Sequence, residues 1–127
     1  MEIKIVKPSD LFRYETNCLN VPNGETLFKE DEKGGEMYVL LSGSVDIFVN
    51  SKLVEKASEG AILGEMGIVG NHPHSATVIT TSDCRFAVID AARFNFLVQQ
   101  TPNFAIHVMR VMADRIRNID HLMTAKG

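Results

Sequence analysis

Hydrophobic and polar positions follow two rhythms along this chain. Between residues 24 and 90, short β-branched runs recur, separated every 8–12 residues by Gly, Asn or Asp. The pattern predicts strands at 25–29, 37–42, 44–50, 52–57, 61–63, 76–80 and 84–89. Turn chemistry lies between them, at Pro22-Asn23-Gly24, Lys33-Gly34-Gly35, Ser42-Gly43, Asn50-Ser51 and Glu59-Gly60. Val45, Ile47 and Val49 fall on one face, the period-2 mark of a half-buried strand. Many short strands at even spacing predict an antiparallel sandwich, roll or barrel. After residue 90 the period lengthens. Asp90 is placed to cap a helix over Ala91–Gln100, and Thr101-Pro102 ends it and starts another that runs to about Met123. Phe104, Val108, Met112, Ile116, Ile119 and Met123 are spaced 4, 4, 4, 3, 4 and form one apolar stripe. Ile106, Met109 and Ala113 widen it toward a second face, which serves either a broad core-facing surface or a partner helix. Arg110 and Asp114 are spaced for an i,i+4 pair on the polar side.

Composition narrows the function classes. The 127 residues suit a single domain, with the β part at about 20–90 and the helices at about 91–124. Hydrophobic residues at 45% and charged residues at 23% are ordinary for a folded globule and argue against disorder. The net charge of −3 lacks the basic excess of a duplex-binding domain, so no direct nucleic-acid partner is expected. Met37–Leu41, among the longest apolar runs, is far too short to cross a bilayer, and no signal-peptide core follows Met1, so no membrane association is expected. Cys18 and Cys84 form no CxxC pair; both are read as reduced, buried side chains, which points to the cytoplasm.

The chemistry concentrates in residues 60–80. A strand ends at Leu63, and Gly64-Glu65-Met66-Gly67 opens a short helical turn. Glycine there lets backbone N–H groups approach an anion closely. A carboxylate inside an anion site is repulsive unless it addresses something else, and a sugar hydroxyl is the natural target for Glu65. Pro73-His74-Ser75-Ala76-Thr77 then leads into the next strand.

The order Gly-Glu-Met-Gly followed by Pro-x-Ser-Ala-Thr-Val resembles the phosphate-binding cassette of cyclic nucleotide-binding domains. Such domains occur in catabolite activator proteins, in regulatory subunits of cyclic AMP-dependent kinase and in cyclic nucleotide-gated channels. The likeness extends to Gly24–Phe28, Met37–Gly43, Phe94, the Thr101-Pro102 break and Met109–Arg115, nearly the whole chain. It implies a mainly β fold, an eight-stranded antiparallel β-roll of double-stranded, jelly-roll-like form, followed by two C-terminal helices. It also implies a non-enzymatic sensor for cAMP or cGMP, with a homodimer seam along the last helix. By the same resemblance, Gly64 gives a backbone donor to the phosphate and Glu65 a carboxylate to the ribose 2′-hydroxyl. Met66 and Gly67 continue the cassette turn, Ser75 contacts the phosphate, and Tyr38 is structural. A base would be met from among Arg110, Ala113, Asp114 and Arg117. Family members that regulate transcription carry a helix-turn-helix after the long helix, for which no room is expected here.

One departure matters. The family's phosphate-binding arginine falls on His74. Arginine is always charged and presents a planar fork, whereas a histidine with a pKa of ~6.5 is only about a quarter charged at pH 7. Losing a charge-assisted contact of ~1.5–3 kcal/mol weakens binding roughly 10- to 150-fold. Three readings follow: weak cyclic-nucleotide binding, a different anion, or a vacant scaffold that serves dimerisation or protein interaction.

The remaining patterns are blander. His72-Pro73-His74 has the H-x-H form that supplies two metal ligands in cupins, but residues 75–82 contain no acid, so the expectation is a solvated loop with two exposed histidines and no metal. His107 and His121 are expected to face solvent. No nucleophile elbow, Walker loop or zinc-spaced Cys/His set is present, so no catalytic residue and no cofactor beyond the candidate cyclic nucleotide are assigned.

Overall fold

Residues that alternate sides every second position can fill two cores at once, and the central strands of this protein do so. The computed structural model describes residue 12 and residues 15–124, with side chains through residue 118. The strands are β1 (Cys18–Val21), β2 (Thr26–Phe28), β3 (Glu36–Ser42), β4 (Ser44–Val49), β5 (Lys52–Ser58), β6 (Ile62–Leu63), β7 (Thr77–Thr80) and β8 (Cys84–Asp90). Helix α1 (Glu65–Val69) lies between β6 and β7, and α2 (Ala91–Gln100) and α3 (Pro102–Thr124) follow β8. The strands form two antiparallel four-stranded sheets, ordered β1-β8-β3-β6 and β2-β7-β4-β5. This is the eight-stranded roll with C-terminal helices that the sequence resemblance implied.

Met37 and Val39 of β3, Ile62 of β6 and Ala87 and Ile89 of β8 point out of the roll and pack under Leu97, Phe104 and Val108 of the helices. Their neighbours Leu40, Leu63, Cys84 and Phe86 point inward and meet Phe28, Val45, Ile47 and Val78 of the other sheet. Burial on both faces explains why β3 reads as a continuous apolar run, whereas β4 alternates. Phe104 anchors the helical layer, with the Phe12 and Phe94 rings edge-on to it at 5.6 and 6.1 Å. Asp90 caps α2 as expected, its carboxylate accepting the Arg93 backbone N–H at 2.8 Å.

Several expectations need correction. Periodicity missed β1, in which Leu19 and Asn20 are exposed and which pairs with β8. The remaining strand limits shift by one residue at most. Asp114 pairs with Arg117 rather than Arg110, one turn being bridged by the i,i+3 spacing. His107 is half-buried, and burial together with nearby Arg110 holds its pKa below the usual value. The side chains of Ile119, His121 and Met123 lie outside the described residues. Cys84 is buried, while Cys18 is half-buried with its thiol on the Glu15 carbonyl.

Candidate ligand-binding site

Gly64 sets the geometry of the site. It follows β6 with φ 78° and ψ 15°, a left-handed conformation that costs a side-chain-bearing residue about 1–2 kcal/mol. A Cβ there would also sit 3.0 Å from the Glu36 carbonyl oxygen and 3.3 Å from His74 Cε1. The turn redirects the chain into α1, so that Glu65 is 4% exposed and points into the molecule. Gly34 fits α1 from outside: a Cβ on it would lie 2.7 Å from the His72 carbonyl oxygen and 2.8 Å from Gly67 Cα. The β2–β3 loop therefore packs backbone to backbone on the cassette.

That loop also positions His74. The His74 N–H donates to the Glu32 carbonyl at 2.9 Å, and its carbonyl accepts from Asp31 N–H at 2.8 Å. The expectation of two exposed histidines is half wrong: His72 is exposed, but His74 is only 5% exposed. Its ring stacks on Phe28 at 3.8 Å between centroids and 12° between planes, and Phe28 in turn stacks on Tyr38 at 5.8 Å. Nδ1 is buried without a hydrogen-bond partner. Burial holds the His74 pKa below its ordinary value, and the carboxylates of Glu32 and Glu65 offset this only in part. At position 74 the structure thus presents an aromatic face whose charged form burial disfavours. Among the described residues, no group of three or more His, Cys, Asp or Glu side chains is placed to hold a metal ion.

Between the sheets and α3 lies a cavity of about 180 Å³. Gly64, Glu65, Met66, His74 and Ser75 all line it, together with apolar side chains of the roll interior such as Phe28, Leu63 and Val78. Gly67 stands outside the lining, buried against Gly34 and Gly35. From α3 come Met112, Arg115 and Ile116. Arg110, Ala113, Asp114 and Arg117, expected near a base, are all exposed and absent from the cavity wall.

Arg115 is the residue that sequence reading missed. Its Nη1 donates to Glu65 at 2.8 Å, and Nε and Nη2 donate to the two oxygens of Glu55 at 3.0 and 3.3 Å. Burial would lower its pKa, but the charges and hydrogen bonds of Glu65 and Glu55 outweigh this and raise it. Glu55 comes from β5, an edge strand. A signal was present: Arg115 falls seven residues after Val108 and three after Met112, on the apolar side of α3.

The cyclic nucleotide-binding domain family model matches residues 18–101. The chain belongs to this family. This cyclic nucleotide-binding domain is 27% identical over 109 residues to the Pycsar effector protein XpPycTIR of Xanthomonas perforans, a match covering 85% of this chain and 36% of that protein. The chain therefore spans about a third of that relative's length. Among solved structures, a cAMP-bound PfPKA-R aligns with a TM-score of 0.75 at 23% identity, over 83% of this chain and 36% of that one. The catabolite activator protein of Thermus thermophilus aligns with a TM-score of 0.75 at 20% identity, over 85% and 53%. At such identities the two structures establish the fold. Among the described residues, no helix is long and apolar enough to cross a membrane.

Proposed function

We propose that this domain is a non-enzymatic sensor that binds cAMP or cGMP in the cavity beside Gly64 and reports occupancy through α3. The observation that supports this reading most directly is convergence. The cassette carboxylate of Glu65, the Gly64 turn and the Ser75 loop meet at one apolar-walled cavity whose fourth side is α3. The apolar walls suit a purine, and Glu65 suits a ribose hydroxyl. A hydroxyl donating to Glu65 competes with Arg115, so occupancy bears directly on the contact that holds α3 to the roll. The relatives support the ligand class, one being a cAMP-dependent protein kinase regulatory subunit from Debaryomyces hansenii that is 34% identical over 61 residues.

Binding is weak in this reading, because neutral His74 replaces a charged fork. An anion beside the imidazole raises its pKa, so binding takes up a proton and tightens as pH falls. Calorimetric titration with cAMP and cGMP is expected to show tighter binding at pH 6 than at pH 8. His74→Arg is expected to strengthen it about 10- to 150-fold. No heat from wild type or His74→Arg at either pH overturns the reading.

A second reading, an interaction module with a vacant cavity, is favoured by α3 itself. Ile106, Met109 and Ile116 are 38, 59 and 55% exposed along it, an apolar stripe suited to a second copy of the chain. The two readings differ in whether the cavity is filled; the stripe meets the cavity at Ile116, which is exposed and also lines the cavity wall. The reduced state read for Cys18 and Cys84 supports a cytoplasmic setting.

A further inference from the structure

The charges in the cavity do not suit an anion. Arg115 is the only Lys or Arg in its lining among the described residues, and it faces two carboxylates, Glu55 and Glu65. His74 adds no positive charge while neutral. The side chains therefore sum to 1 − 2 = −1, in a partly buried space where charges are poorly screened. The two carboxylates are not equivalent. Glu65 has a task in ligand binding, since it can accept from a ribose hydroxyl. Glu55 has none there: it engages Arg115 side-on through both oxygens, its side chain 28% exposed at the rim. When a ligand hydroxyl draws Glu65 away, Glu55 still neutralises Arg115 and withholds the cavity's one permanent cation from the phosphate.

We infer that Glu55 is a specificity-determining residue of this site, which by occupying Arg115 sets the affinity for the anionic part of the ligand apart from the affinity for its base and sugar. The inference rests on the proposed cyclic-nucleotide reading. Removing the carboxylate turns the side-chain sum from −1 to 0; Glu55→Gln takes away one of the two acceptors facing Arg115, and Glu55→Ala takes away both. Substituting Glu55 thereby strengthens binding of a cyclic nucleotide and leaves the same nucleoside without phosphate almost unaffected.

The test compares wild type, Glu55→Gln, Glu55→Ala and His74→Arg by calorimetric titration at pH 7 with cAMP and with adenosine. Circular dichroism melts confirm that each variant is folded, and Glu55→Ala serves should the amide be poorly tolerated. The expected result is about tenfold tighter cAMP binding in the Glu55 variants, with adenosine binding changed by less than about twofold. The cAMP gain is expected to shrink as salt is raised. Equal gains for cAMP and adenosine, or no gain for cAMP in a Glu55 variant while His74→Arg does bind it more tightly, overturn the role of Glu55 and leave the cyclic-nucleotide reading standing. Absence of cAMP binding in every protein, His74→Arg included, overturns both.

Discussion

Stacking His74 on Phe28 makes one residue respond to pH in two opposite directions. In the folded domain its pKa lies below the ordinary value, because burial disfavours the imidazolium. The unfolded chain, with its histidine near pKa ~6.5, then binds more protons than the folded one as pH falls. The stabilising effect of neutral His74 is complete above about pH 6.5 and is lost as pH drops toward the folded value. Urea denaturation at pH 7.5 and 5.5 is expected to show a larger acid loss for wild type than for His74→Phe, which keeps the stack and cannot titrate. Equal losses would place the acid sensitivity elsewhere. In the proposed function, ligand affinity is expected to move the other way and rise as pH falls, since an anion beside His74 favours the imidazolium.

The cassette turn is short, and its shape depends on glycine at two places. Gly64 supplies the left-handed backbone that turns Glu65 inward, and Gly34 lets the β2–β3 loop touch α1. Gly64→Ala is expected to destabilise the domain by about 1–2 kcal/mol and to loosen the Glu65–Arg115 pair, since the new Cβ crowds the Glu36 carbonyl. A urea midpoint shift of the corresponding size checks this; an unchanged midpoint would mean that the turn relaxes without strain. Most of this element is legible in the residue order, because Gly-Glu after a short strand leaves few alternatives. The fate of His74 is not. A His-Pro-His loop of polar residues reads as solvated, and its burial depends on hydrogen bonds to residues 31 and 32, more than forty positions away.

At the scale of the molecule, α3 has two sides with different work. Phe104, Val108, Met112 and Arg115 hold it to the roll, Ile106 and Met109 face outward, and Ile116 lies between, exposed yet also in the cavity wall. If the outward stripe seats a second copy, Met109→Glu is expected to convert a dimer to a monomer in light scattering, with the melting temperature of the protomer nearly kept. A monomeric wild type at the same concentration would remove that role. The widened stripe was visible in the sequence, but periodicity alone could not say which part is covered. The chain by itself determined the order of seven strands and of the helices, the glycine turn before Glu65 and the absence of a permanent cation at position 74, because these follow from local backbone preference and side-chain chemistry. Only the tertiary structure decided that His74 stacks on Phe28 and that Arg115, not Arg110 or Arg117, enters the cavity between Glu55 and Glu65. The first depends on how the β2–β3 loop docks on residues 72–74 and the second on which way α3 is rotated on the roll, and both are set by packing between residues far apart in sequence.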